Sequence, residues 1–129
     1  MSIAQTFTVT VVGGKFVIDG VSQATVMIGA GLTYKFDQSD SSNGTHPLRF
    51  STNDNNSPSA PYTTGVTTSG VPGNAGAYTQ IAVENGAPST LYYYCSNHSG
   101  MGGEANTDGW GRSYWGQMDY GDSNVVETG

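Results

Sequence analysis

The stretch Thr90-Leu91-Tyr92-Tyr93-Tyr94-Cys95-Ser96-Asn97-His98-Ser99-Gly100-Met101-Gly102-Gly103 decides how this chain reads. Residues 90–95 alternate, with Leu91, Tyr93 and Cys95 on one face and Tyr92 and Tyr94 on the other, and such wide side chains suit a strand. The one cysteine of the chain therefore stands at a strand end. His98 follows it by three residues, and Met101 follows His98 by three. A tight turn through Ser96-Asn97 would bring His98 back beside Cys95, and Gly100 would let the chain bend again to present Met101. The other histidine, His46, precedes a short strand candidate at Leu48 to Ser51 and would arrive from the neighbouring sheet position. A thiolate and two imidazoles with a weak axial thioether form a ligand set that accepts both copper oxidation states with little rearrangement. Zinc could use Cys95, His98 and His46 but has no use for a thioether, so the set favours copper. The plain alternative is an inert buried cysteine, an exposed His98 and a methionine filling the core.

Outward from this stretch the chain is a succession of short extended segments. Phe7, Val9 and Val11 alternate with threonines between Gln5 and Val12, the period of a strand with one buried face, and Gly13-Gly14 ends it. Lys15 to Asp19 and the β-branched run Ala24 to Ile28 follow, then Leu32, Tyr34 and Phe36 alternate with Thr33, Lys35 and Asp37. Gln38 to Thr45 is Ser, Asp, Asn and Gly and reads as a loop. Thr52 to Gly76 reads as a long surface excursion with one short strand or turn near Tyr62 to Thr67, and Tyr78 to Val83 is extended again. Seven or so short strands without helical periodicity predict an all-β, antiparallel two-sheet sandwich.

Composition narrows the function. The 129 residues suit one domain, or one domain plus an arm. Four basic residues, Lys15, Lys35, Arg49 and Arg112, face ten acidic ones for a net charge of −6, which removes the electrostatic drive for nucleic acid or anionic lipid. A single thiol forms no internal disulfide. Met1 to Val12 has neither a basic start nor a long apolar run, so no signal peptide and no membrane span is expected there. No nucleophile signature and no phosphate-cradling glycine loop stands in a suitable frame, so an enzyme is not expected. Asp37, Asp40, Asp119 and Asp122 read as solvated turn carboxylates rather than calcium ligands.

From Glu104 to Gly129 an aromatic-Gly pair recurs at Trp110-Gly111, Trp115-Gly116 and Tyr120-Gly121. Its period of five fits neither strand nor helix. The segment reads either as a last strand whose aromatics finish the core, or as an arm whose Trp110, Tyr114, Trp115 and Tyr120 anchor a neighbouring subunit.

The path Gly20 to Val26, Gly31 to Asp37, His46-Pro47-Leu48-Arg49-Phe50 and Tyr93 to Gly103 resembles a cupredoxin over residues 1–103, leaving 104–129 as the arm. Within that superfamily it is most similar to cupredoxin-like domains of marine bacteriophage, especially cyanophage, structural proteins. The resemblance implies a Greek-key sandwich with His46, Cys95, His98 and Met101 as copper ligands. Electron-transfer cupredoxins usually carry Asn after the first histidine, whereas Pro47 here has no amide donor. The hydrogen bonding that steadies the ligand loop must therefore differ. The expected role is a virion structural protein, a decoration, cement or fibre component, with other virion proteins and copies of itself as partners and the phage particle as its location. The alternative is a soluble blue-copper electron carrier, which would work in the periplasm or outside the cell.

Overall fold

Each apolar alternation in the sequence becomes a paired strand, because a strand's two-residue period puts its apolar set on one face and that face must be covered. A computed structural model describes residues 2–53 and 60–108. Among the described residues ten strands follow one another: β1 (Gln5–Val12), β2 (Lys15–Ile18), β3 (Val21–Ser22), β4 (Val26–Met27), β5 (Thr33–Asp37), β6 (Leu48–Ser51), β7 (Val66–Ser69), β8 (Tyr78–Ala82), β9 (Thr90–Cys95) and β10 (His98–Asn106). Helix among the described residues is limited to a 3-10 turn at Ser41–Asn43. No helix there is long and apolar enough to cross a membrane.

The strands form a six-stranded sheet in the order β3-β2-β1-β5-β8-β7 and a four-stranded sheet in the order β4-β10-β9-β6. Their inner faces meet in one core: Phe36 of β5 lies 5.5 Å edge-on from Phe50 of β6, and Phe16 of β2 lies 6.2 Å from Tyr93 of β9. Such aromatic pairs contribute about 0.5–1.5 kcal/mol each beyond the area they bury. Tyr34, Phe36, Leu48, Phe50, Ile81 and Leu91 are all fully buried between the sheets.

The expected all-β two-sheet sandwich is present, and its strands pair antiparallel except at two places. β1 pairs parallel with β5, and β4 pairs parallel with β10, so both sheets are mixed. Alternation reports which face of a strand is buried but carries nothing about its direction, and the chain between β1 and β5 is long enough to return to the starting end. The short strand expected near Tyr62 to Thr67 lies at Val66–Ser69, where it pairs with β8. Pairing of β10 continues through Glu104, Ala105 and Asn106, and the Thr107 amide donates to the Ser89 carbonyl at 2.9 Å, so the sandwich runs past residue 103. Trp110, Tyr114, Trp115 and Tyr120 of the expected arm lie outside the described residues.

Candidate metal centre

Cys95 closes β9 and His98 opens β10, with Ser96-Asn97 as the turn between them and the two residues directly opposite in register. The register then breaks, and pairing resumes only at Gly103 opposite Tyr93. Residues 99–102 form a bulge, which re-aims side chains at a strand end. Gly100 makes it possible, with φ of 79°, a region that side-chain-bearing residues rarely enter. The bulge drives Met101 into the core, 2% exposed. Long polar side chains hold the bulge on either side of Met101. Lys15 Nζ donates to the Gly100 carbonyl at 3.0 Å, and Gln23 Nε2 donates to the Gly100 and Gly102 carbonyls at 3.1 and 2.9 Å.

His46 comes from the segment before β6. Because β6 pairs with β9 and sets Leu48 opposite Cys95, that segment passes over the same end of the sandwich. Cys95 Sγ lies 3.6 Å from Nδ1 of His46 and 3.6 Å from Nδ1 of His98. The imidazole rings are 4.7 Å apart between centroids, and the ligand atoms of all three residues fall within 4.8 Å of one another. The thiol is buried, His46 is half-buried and His98 is exposed. Burial, and after it the neighbouring His98, hold the His46 imidazole below its ordinary pKa of 6.5. This favours the neutral ring, the form that can ligate.

The two segments are also tied to each other. Asn97 Nδ2 donates to the Thr45 carbonyl at 2.9 Å, and the Ser96 amide donates to the Pro47 carbonyl at 3.1 Å. Pro47 cannot donate, but here the bonds run from the ligand turn toward the His46 segment. Thr45 has φ of 67°, a costly conformation for a β-branched residue, immediately before His46.

Of the residues singled out from sequence, His46, Cys95 and His98 are brought together, and Met101 sits at the core side of the same bulge. Their donor set of one thiolate and two imidazoles fits a copper ion. Sequence reading missed Lys15, Gln23, Gln38, Asn43 and Asn97 as supports, since polar residues in loops carry no local sign of being buried or of bonding across the chain. Asp37 and Asp40 accept from Ser39 and Ser42 in local turns, as solvated turn carboxylates do.

A two-sheet β-sandwich with a cysteine and two histidines converging at the end of one hairpin defines a cupredoxin-like fold. Solved structures share it. Reduced rusticyanin superposes with a TM-score of 0.50 and 19% identity, covering 83% of this chain and 81% of that one. Another structure of rusticyanin, described as a copper protein, gives a TM-score of 0.51 and 20% identity over 82% of this chain and 79% of that one. No family model and no curated protein matches the chain. The virion role expected from the sequence strings has no counterpart among these similarities, and the aromatic arm it draws on lies outside the described residues.

Proposed function

We propose that the protein is a blue-copper electron carrier that binds one copper ion through His46, Cys95 and His98, with Met101 as the weak fourth donor. The observation that carries this reading is the convergence of both Nδ1 atoms on Cys95 Sγ at 3.6 Å. Copper bound there supplies a one-electron couple, and a mixed S/N donor set suits both of its oxidation states. The chain contributes the rest. Cys95 is held away from solvent at the end of a core strand, which protects the thiolate from outside oxidants. The Lys15 and Gln23 clamp fixes the backbone on either side of Met101. His98 is exposed, with Ser96, Asn97 and Ser99 exposed around it, so a partner could approach that imidazole edge closely. The rusticyanin structures, one of them described as a copper protein, support the reading through their shared fold.

Cyclic voltammetry of the copper-loaded protein tests it. A reversible one-electron wave that disappears in Cys95→Ser is expected. Copper binding without a reversible wave would make the centre structural and refute electron transfer.

A further inference from the structure

Gln38 lies just past β5 and is 1% exposed, and Asn43 in the 3-10 turn is 0% exposed. Burying a primary amide without partners costs about 1–3 kcal/mol, so two of them in a core call for a full set of bonds. Gln38 Nε2 donates to Asn43 Oδ1 at 2.9 Å and to the His46 carbonyl at 2.7 Å, while its Oε1 accepts from the Leu48 amide at 2.9 Å. One side chain thus brackets His46-Pro47-Leu48 from both ends. Asn43 passes the restraint on: its Nδ2 donates to the Val9 carbonyl of β1 at 2.7 Å and to the Asp40 carbonyl at 3.1 Å. Its own backbone carbonyl accepts from the His46 amide at 2.8 Å.

Both backbone polar groups of His46 are therefore held by these two residues, its carbonyl by the Gln38 side chain and its amide by the Asn43 backbone, and the Asn43 side chain anchors them to β1 of the larger sheet. A loop that merely needed closing could be capped by exposed turn bonds, as Asp40 already caps Ser42 at 3.0 Å. Bonds on both sides of a candidate ligand, one from the buried Gln38 side chain and one to the backbone of the buried Asn43, fix the position of that ligand itself. We propose that the Gln38–Asn43 pair is the positioning device of the metal site, setting His46 against Cys95 before any metal arrives. This rests on the metal-site reading above.

Cobalt(II) binding to the metal-free protein, followed by its thiolate charge-transfer absorption, tests the proposal. Gln38→Met keeps the volume and removes all three bonds; it should weaken cobalt(II) binding by about 10–100-fold and shift the absorption band, as loss of such ligand-orienting partners does. Val83→Ala serves as the control, because Val83 is buried at the opposite end of β5, where its amide bonds the Leu32 carbonyl at 2.9 Å. At a comparable loss of melting temperature it should leave affinity and spectrum unchanged. Unchanged affinity and spectrum in Gln38→Met, or equal weakening in both variants, would overturn the proposal. Failure of the wild-type protein to bind cobalt(II) would overturn the metal site and the positioning role together, and so differs visibly from failure of the positioning role alone. A second readout needs no variant: by NMR of the metal-free wild type, the Gln38 side-chain amide protons should exchange slowly with solvent. Fast exchange would refute the buried network.

Discussion

Replacing Gly102 by alanine probes the bulge that links Cys95 to Met101. A Cβ at position 102 would run into the backbone carbonyl of Tyr93, standing 2.6 Å from its carbon and 3.1 Å from Tyr94 Cα. These are backbone atoms in the middle of a paired strand, so they cannot turn aside as a flexible side chain could. The β9–β10 hairpin must open instead. Overpacking of this kind costs about 1–3 kcal/mol. Opening also strains the Gln23 bonds to the Gly100 and Gly102 carbonyls, each contributing about 1 kcal/mol. A total near 3 kcal/mol lowers the melting temperature by roughly 10–15 °C in a domain of this size. Thermal melts of the metal-free protein followed by circular dichroism measure it directly. Gly86→Ala is the matched control, because a Cβ there meets nothing within 4 Å, and its melting temperature should stay level or rise slightly. Cys95 should in addition react faster with a thiol reagent in Gly102→Ala, as the hairpin covering it loosens. A Gly102→Ala melt within the spread of the Gly86→Ala control would refute the close approach and with it the account of how Met101 is held.

Met101→Leu keeps the buried volume, so it should cost less than about 1.5 kcal/mol in a thermal melt. It should nonetheless shift the reduction potential and visible spectrum of the copper-loaded protein, and an unchanged spectrum would remove Met101 from the ligand set. Tyr93→Phe removes the buried phenol that donates to the Ala24 carbonyl at 2.6 Å, and urea unfolding at neutral pH should show a loss of about 1–2 kcal/mol. Burial also raises the Tyr93 pKa above its ordinary value of 10.0, so the folded state keeps a proton that the unfolded chain releases. The Tyr93 contribution to stability should accordingly be level below pH 10 and be lost as the pH climbs beyond it, so the alkaline fall should be shallower in Tyr93→Phe; equal slopes above pH 10 would contradict the buried phenol.

What the sequence shows plainly is what a local pattern can encode. Gln5–Val12, Leu48–Ser51 and Thr90–Cys95 are strands over the ranges their alternation marks, since a period of two leaves one face to bury. The approach of Cys95, His98 and His46 was legible because a two-residue turn and one neighbouring strand suffice to produce it. Strand direction was not legible: β1 beside β5 and β4 beside β10 run parallel for reasons that lie in the connections between them. Tyr94 shows the same limit. Alternation assigns it to the outer face with Tyr92, yet it is 7% exposed. Gln38 and Asn43 were hidden altogether, because a run of Ser, Asp, Asn and Gly looks like a solvated loop, and only the fold reveals that two of its amides are enclosed and bonded to Val9, His46 and Leu48.

The central claim is that Cys95, His46 and His98 form a copper site, and titration of the metal-free protein with copper(II) tests it most directly. Metal content by mass spectrometry and the visible spectrum are read on the same sample. The account predicts one copper per chain and intense absorption in the red arising from the Cys95 thiolate, both absent in Cys95→Ser. A colourless protein, or copper uptake that survives Cys95→Ser undiminished, would contradict it.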